Sequence, residues 1–247
     1  APQLGELIQI YRNGTLIANS STPAQDIGPQ PVGYWNISAV YSGNINYSAE
    51  TVTYMMNVND TTIPVINDFN ITPQVATYGD MMRIEANVTD NVEVLQVFVT
   101  IDGVDRPLSQ QGSTDIYNLT FNSSEYTAGF YTYGMHAQDT AGNLATVLVD
   151  NFTINKANSS LELHLNGTAD NITIVQSTEI NVTANLLTPQ LGEYIQVYRN
   201  GVLIANDTQT ATNISSYPIA GNYNVTAIYV GNENYTPSNV TYWITVN

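Results

Sequence analysis

One stretch of 18 residues occurs twice in this chain of 247 residues. The stretch from Pro2 to Asn19 returns as Pro189 to Asn206 with 15 identical residues, at an offset of 187. Further along, Val40 to Tyr47 returns as Ile228 to Tyr235. A repeat of this long period is typical of arrays of similar domains rather than of a protein built around one active site.

Composition narrows the possible partners. Hydrophobic residues make up 43% of the chain, which supports packed cores, and the net charge of −16 reflects only five Lys and Arg beside 21 Asp and Glu. Because no basic surface can be assembled from five cations, nucleic acid is excluded as a partner and anionic lipid is disfavoured. The absence of cysteine excludes disulfides and cysteine metal sites. No apolar run approaches the roughly 18 residues of a membrane span, so we expect no membrane insertion of this segment.

The hydrophobic pattern has the period of β-strands. Met82, Ile84, Ala86 and Val88 alternate with polar residues, and the segment from Ile180 to Leu186 does the same. Such alternation is typical of strands with one buried face in an antiparallel sheet.

Three dipeptides between such strands predict tight hairpins. Asn13-Gly14, Asp102-Gly103 and Asn200-Gly201 each lie between two alternating segments. Asn-Gly and Asp-Gly tolerate the positive φ angles of a two-residue type I′ turn.

The same layout recurs three times and predicts three modules. Each has an Asn/Asp-Gly hairpin followed by a strand that starts at Gly33, Gly129 or Gly221 and carries an aromatic residue near its start. The fold class is therefore all-β, with tandem immunoglobulin-like β-sandwiches. We name residues 1–59 the first module, 60–155 the middle module and 156–247 the third module, with polar junctions at Asn59 to Pro64 and Asn155 to Ser160.

The first module is predicted to be incomplete at its N-terminal side. The third module has about 28 residues, Ser160 to Leu187, before the repeated stretch, whereas the first enters it at Pro2. A sandwich without these opening strands exposes its core and a strand edge. Either a longer repeat protein supplies the strands from an upstream segment, or a neighbouring molecule donates them.

The outer modules resemble the bacterial and archaeal Ig-like repeats of large cell-surface proteins. The resemblance rests on the Ala-x-Tyr-x-Gly-Asn-x-Asn-Tyr segments at Ala39 to Tyr47 and Ala227 to Tyr235. The middle module resembles a second prokaryotic Ig-like class through Asp60 to Pro64, Val88 to Val94 and Ala137 to Asn143. These likenesses imply an extracellular, cell-surface location in an adhesin, surface layer or sheath.

Candidate N-glycosylation sites are the strongest chemical signal. The chain holds 30 Asn and 44 Ser and Thr, from which random placement gives roughly 5 Asn-x-Ser/Thr sequons. The sequence has 19, at Asn13, Asn19, Asn36, Asn46, Asn59, Asn70, Asn87, Asn118, Asn122, Asn151, Asn158, Asn166, Asn171, Asn181, Asn206, Asn213, Asn224, Asn234 and Asn239. Alternation of Asn and Thr on polar strand faces produces this spacing by itself, and it also exposes the amides. We expect glycan at Asn13 and none at its repeat mate Asn200, which has no sequon.

Metal and catalytic sites have weaker support. Asp60, Asp80, Asp90 and Asp139 are candidate calcium ligands near the module junctions, but no Asp-x-Asp-x-Asp loop is present. The prediction is therefore that no metal or other cofactor is required, and that Asp139 caps its own turn.

No catalytic residues are predicted, and the chain is not expected to be an enzyme. The two histidines, His136 and His164, lie in different modules, and no pairing of a nucleophile with a base is evident.

The aromatic residues have a structural and a binding interpretation. Core packing explains the recurrent inward positions Trp35, Tyr41, Tyr131, Tyr223 and Tyr229. Tyr47 and Tyr235, in the Gly-Asn-x-Asn-Tyr turns, are better candidates for exposure and glycan contact, although packing within the turn is the favoured interpretation for them as well.

The predicted function is structural, in a glycosylated surface layer, sheath or extracellular filament whose partners are further copies of the same repeat protein. An adhesin that binds a glycan or a surface protein is the alternative.

Overall fold

The computed structural model describes residues 5–21 and 23–247, with the backbone alone for residues 146–149. Pro2 to Leu4 of the repeated stretch therefore lie outside the described residues. The described chain is almost entirely β-structure, with 20 strands and a 3₁₀ turn at Ser123–Glu125. No helix among the described residues has the length and apolarity needed to cross a membrane.

The first module is a single antiparallel sheet. Its strands have the order β2-β1-β3-β4. They are β1 (Leu7–Arg12), β2 (Thr15–Ser21), β3 (Gly33–Tyr41) and β4 (Glu50–Val58). None of the described residues in this module is fully buried, because no second sheet covers the face. The expected incomplete sandwich is confirmed.

The middle module is one eight-stranded sheet folded over a core. The strand order is β5-β7-β10-β9-β8-β11-β12-β6. The strands are β5 (Val65–Thr72), β6 (Val75–Thr77), β7 (Met81–Thr89), β8 (Val94–Ile101), β9 (Val104–Gln110), β10 (Ile116–Asn122), β11 (Gly129–Asp139) and β12 (Leu144–Asn155). Met82, Ile84, Ala86 and Val88 of β7 are all buried, as their alternation predicted, and pack in one cluster with residues of β8 and β11.

The third module is a complete two-sheet sandwich. One sheet has the order β13-β15-β18 and the other β14-β20-β19-β16-β17. The strands are β13 (Ser160–Leu165), β14 (Ile172–Ile174), β15 (Thr178–Thr188), β16 (Tyr194–Arg199), β17 (Val202–Thr208), β18 (Thr210–Tyr217), β19 (Gly221–Tyr229) and β20 (Ser238–Val246). Ile180, Val182, Ala184 and Leu186 of β15 form one inner face of its core.

Comparison of the two repeats shows what the second sheet contributes. In the third module, β18 pairs along its length with β15. The corresponding residues of the first module, 23–30, form no strand. A strand needs a partner for its backbone N–H and C=O groups, and the described residues of the first module form no counterpart of β15.

The three predicted hairpins are confirmed. They join β1 to β2, β8 to β9 and β16 to β17. Asn13, Asp102 and Asn200 have φ angles of 45°, 51° and 47°, and the glycine after each is also positive. Both central residues thus take the left-handed conformation of a type I′ turn, which Asn and Asp tolerate better than other non-glycine residues.

Each module contains the same aromatic corner at the start of its recurrent strand. The hydroxyl groups of Tyr131 and Tyr223 donate to the carbonyl oxygens of Thr127 and Ile219 at 2.8 and 2.9 Å. In the first module the indole N–H of Trp35 donates to the carbonyl of Pro31 at 2.7 Å. This bond from an aromatic side chain to the backbone four residues upstream resembles the tyrosine corner of immunoglobulin-like sandwiches.

Candidate functional site

Three of the four candidate aspartates meet at one end of the middle module. Asp60 lies in the segment between β4 and β5, Asp90 follows β7, and Asp139 ends β11. One carboxylate oxygen from each lies within 4.8 Å of the others. The fold therefore brings together side chains that come from three distant parts of the sequence.

Local turns hold each carboxylate through one of its two oxygens. Oδ1 of Asp60 accepts a hydrogen bond from the Thr62 N–H at 3.0 Å. Oδ2 of Asp90 accepts from the N–H groups of Val92 and Glu93 at 2.8 and 3.1 Å. These bonds fix where the remaining oxygens lie.

Asp139 is the most enclosed of the three, with no exposed surface. Its Oδ1 accepts from the N–H groups of Ala141 and Asn143 at 2.9 and 2.7 Å, which confirms the predicted turn cap. Burial acts to raise the pKa of this carboxyl, but the hydrogen bonds from Asn143, Ala141 and Gly142 outweigh it and lower the pKa below the usual value. Asp139 is thus held as a carboxylate.

Two oxygens of the cluster have neither solvent nor a hydrogen bond. Oδ2 of Asp60 and Oδ1 of Asp90 are buried atoms without a hydrogen-bond partner among the described residues, although each residue as a whole is partly exposed. Like charges whose oxygens lie within 4.8 Å of one another repel. The arrangement concentrates negative charge that no side chain in the described structure neutralises by an ion pair.

Asn143 connects the three segments and was not singled out from the sequence as a site residue. Its Nδ2 donates to Oδ2 of Asp139 at 2.7 Å and to the carbonyl oxygens of Asp60 and Thr62 at 3.3 and 3.2 Å. Its place in the Asp-Thr-Ala-Gly-Asn segment, four residues after Asp139, was the available signal.

Asp80, the fourth candidate, does not belong to this cluster. Its Oδ2 accepts from the Thr77 N–H at 2.7 Å, and its carbonyl accepts from the Ser123 N–H at 2.8 Å. Asp80 therefore stabilises its own turn, which makes it a natural control for experiments on the cluster.

The candidate glycosylation sites divide by exposure, and none is fully buried. Thirteen are exposed: Asn13, Asn19, Asn36, Asn46, Asn59, Asn70, Asn151, Asn158, Asn166, Asn171, Asn181, Asn206 and Asn239. Six are partly buried: Asn87, Asn118, Asn122, Asn213, Asn224 and Asn234. The expected exposure of strand-face amides therefore holds at Asn36 and Asn181 and fails in part at Asn87 and Asn224, which are partly buried.

Contacts of the described residues join the middle and third modules at the Gly231 to Tyr235 turn. Asn234 Oδ1 accepts from the Ala128 N–H at 2.9 Å, and the Tyr235 ring meets the Tyr78 ring edge-on at 5.5 Å between centroids. The linker takes part as well, because Lys156 Nζ donates to the Asn232 carbonyl at 2.6 Å. The repeated turn of the third module is thus a joint with its neighbour.

The aromatic residues that were predicted to face inward differ in their surroundings between the two modules that have a core and the first module. Tyr229 is buried, and Tyr131 and Tyr223 pack against the cores of their modules. Trp35 and Tyr41 of the first module are only partly buried, because no second sheet covers them. Of the two turn tyrosines, Tyr47 is 46% exposed, whereas Tyr235 is partly buried and packs at the joint, which agrees with the packing interpretation favoured from the sequence.

The two histidines lie on strands of separate modules. His136 on β11 stacks on Phe98, with ring centroids 4.8 Å apart. His164 lies on β13 of the third module. No catalytic role was predicted for either residue.

The sequence matches no characterised protein family and no curated protein. Solved structures with a similar arrangement include the titin domains Z1Z2 in complex with telethonin, at 16% identity and a TM-score of 0.44, covering 76% of this chain and 98% of that one. A D1-D4 ectodomain fragment of ICAM-5 has 10% identity and a TM-score of 0.48, covering 100% and 69%. A 1.5-MDa bacterial ice-binding adhesin has 12% identity and a TM-score of 0.33, covering 100% and 88%. Likeness at these values bears on the fold alone, which the strand topology establishes as tandem Ig-like β-sandwiches.

Proposed function

We propose that this chain acts as a structural, glycosylated repeat of a prokaryotic cell surface, as part of an archaeal surface layer, sheath or extracellular filament. The modules in this proposal are residues 1–59, 60–155 and 156–247. The observation that carries it is the joint between the middle and third modules, where Asn234 and Tyr235 contact Ala128 and Tyr78. A joint of this kind limits bending between neighbours and suits a load-bearing array.

The two cores support a mechanical role. Separate clusters of buried residues fill the middle and third modules. Antiparallel sheets with dense hydrophobic cores resist local opening, since their backbone hydrogen bonds are largely sheltered. A string of such units provides length and stiffness.

The surface supports an extracellular location. Charged residues make up only 11% of the chain, well below the roughly 25% of ordinary globular domains. The 13 exposed sequons would carry hydrophilic glycans that supply the hydration missing from the charge content. The resemblance of the outer modules to prokaryotic cell-surface repeats agrees with this location.

An adhesin is the second candidate, and one observation favours it. Ile45 is 99% exposed and Tyr47 is 46% exposed in the first-module turn that corresponds to the joint. Exposed apolar and aromatic side chains at the tip of a loop are suited to contact with a glycan or a protein surface.

Two measurements on the full chain separate these functions. A structural repeat should show concentration-dependent self-association in sedimentation velocity and no saturable binding on a glycan array. An adhesin should bind a defined glycan while remaining monomeric, and Tyr47→Ala should remove that binding. Saturable glycan binding that Tyr47→Ala abolishes, without self-association, would replace the structural proposal with the adhesin.

A further inference from the structure

The three aspartates at the end of the middle module have the features of a cation site. We infer that Asp60, Asp90 and Asp139 bind one divalent cation, and that the cation is calcium. The inference rests on three observations: the mutual approach of the carboxylates, the two buried oxygens without partners, and the absence of a basic side chain that neutralises them among the described residues.

The distribution of the five basic residues explains why the charge stays uncompensated. Arg83 and Arg106 pair with Glu85 and Glu125, and Lys156 donates to a carbonyl at the other joint. The other two stack on aromatic rings, Arg12 on Trp35 and Arg199 on Tyr217. A cation from solution is the remaining source of positive charge for the cluster.

The two carboxylate oxygens without a hydrogen-bond partner show where such a cation would be held. Burying a carboxylate oxygen without a hydrogen bond is unfavourable, and such atoms in folded proteins are commonly satisfied by a metal ion or by water. Oδ2 of Asp60 and Oδ1 of Asp90 are both of this kind, while the second oxygen of each carboxylate is held by backbone N–H groups of its own turn. The turns thus aim the free oxygens and leave them available as ligands.

The donor set favours calcium over other divalent ions. Its ligands are hard oxygens, with no histidine or cysteine in the cluster, which disfavours zinc. Calcium accepts six to eight oxygens in irregular arrangements, whereas magnesium demands a near-ideal octahedron and retains its waters. The carbonyl oxygens of Asp60 and Thr62, which lie next to the cluster and accept from Asn143, are further oxygen donors of the type that calcium uses.

The site has a structural consequence for the array. Asp60 belongs to the segment that joins the first sheet to the middle module, whereas Asp90 and Asp139 belong to turns of the middle module itself. These two turns are already connected, because the Thr140 N–H donates to the Glu93 carbonyl at 3.2 Å. A bound cation would fasten the junction segment to this pair of turns and stiffen the connection between the first and middle modules.

Calcium titration of the full chain after chelator treatment tests the inference. Isothermal titration calorimetry should show one calcium site, and calcium should raise the Tm of the middle module while magnesium at the same concentration has little effect. Asp90→Asn keeps an oxygen for the N–H groups of Val92 and Glu93 but removes the charge, so it should weaken calcium binding by about tenfold or more. Without calcium, the same variant should melt at or above the wild-type Tm, because it relieves repulsion between carboxylates.

Asp80→Asn is the matched control, because Asp80 is a turn aspartate of the same module outside the cluster. It should bind calcium as the wild type does. Asp60→Asn provides a second variant that tests the junction segment directly. The inference is overturned if the chelated wild type shows neither heat nor a Tm shift with calcium, if magnesium acts as strongly as calcium, or if Asp90→Asn and Asp80→Asn bind calcium equally well.

Discussion

Asn234 of the third module accepts a hydrogen bond on Oδ1 from the backbone N–H of Ala128 of the middle module, at 2.9 Å. Its repeat mate Asn46 lies in the corresponding turn of the first module and is exposed. Both residues begin an Asn-x-Ser/Thr sequon. Two nearly identical turns therefore differ in whether a neighbouring module covers them.

The difference predicts an asymmetry in glycosylation. Asn46 should carry glycan in native material, and Asn234 should be bare, because Asn46 is exposed whereas Asn234 is partly buried where the third module meets the middle module. Mass spectrometry of glycopeptides from the native protein measures the occupancy of both sites. Equal high occupancy at Asn234 and Asn46 would contradict the joint.

A second glycosylation contrast comes from the repeated hairpin. Asn13 is exposed, and its Oδ1 accepts from the Asn36 N–H at 2.7 Å, so the amide nitrogen points away from that bond. Asn200 occupies the same turn position without a sequon. The same mass-spectrometric experiment should find glycan at Asn13 and none at Asn200. An unmodified Asn13 among other occupied sites would count against this prediction.

Removing the hydroxyl group from each of two tyrosines of β19 should change the free energy of unfolding of the third module in opposite directions. Tyr223 donates to the Ile219 carbonyl at 2.9 Å, so Tyr223→Phe should lower the free energy of unfolding of the third module by about 1 kcal/mol. The hydroxyl of Tyr229 is buried without a partner among the described residues, and burial raises its pKa, with a further contribution from Glu193. Tyr229→Phe should raise the free energy of unfolding by a similar amount, since it removes an unsatisfied polar group.

Scanning calorimetry of the full chain measures both tyrosine variants on the transition of the third module. Each variant is the other's control, because both remove one oxygen from the same strand. If both variants change the free energy of unfolding in the same direction, then either the hydrogen bond of Tyr223 or the lack of a partner for the Tyr229 hydroxyl is contradicted.

The uncovered sheet of the first module should gain a core when its missing layer is supplied. A copy of residues 160–188 placed ahead of the first module would provide counterparts of β13, β14 and β15, against which Ile10 and Ile37 could pack. Trp35 should then become less exposed to water. In a Trp243→Phe background, which leaves Trp35 as the only tryptophan, its fluorescence should shift to the blue.

A control fusion carries Asp in place of Ile180, Val182 and Ala184 in the added copy, which removes the inner face of the β15 counterpart. It should leave the emission of Trp35 unchanged. A blue shift with both fusions, or with neither, would contradict the view that the first module lacks its second layer.

Much of the fold was predictable because its signals are local. Alternation placed Ile180 and Val182 on an inner face, and the dipeptides at Asn13 and Asn200 specified turns by their own backbone preferences. These features need only neighbouring residues, and the structure agrees with them.

The candidate metal site was only partly predictable, because its aspartates are far apart in the sequence and only the fold brings them together. The sequence marked Asp60, Asp80, Asp90 and Asp139 as candidates, and spacing alone does not tell which turns share one end of a folded sheet. The position of Asn143 in the Asp-Thr-Ala-Gly-Asn segment indicated a turn residue, but its contacts with the carbonyls of Asp60 and Thr62 are long-range and could not be predicted from that segment. Nor does the sequence show that Asn234 contacts a neighbouring module while Asn46 is exposed, since the neighbour of each turn is set by packing between modules.

The stiffness of the joint between the middle and third modules is the most direct test of the structural account. Because the chain has no cysteine, spin labels can be attached at Ser113→Cys in the middle module and Thr168→Cys in the third, and the distance between them measured by pulsed electron paramagnetic resonance. We expect one narrow distance distribution that broadens when Asn234 and Tyr235 are both replaced by Ala. A broad distribution in the otherwise unaltered chain, unchanged by those substitutions, would contradict it.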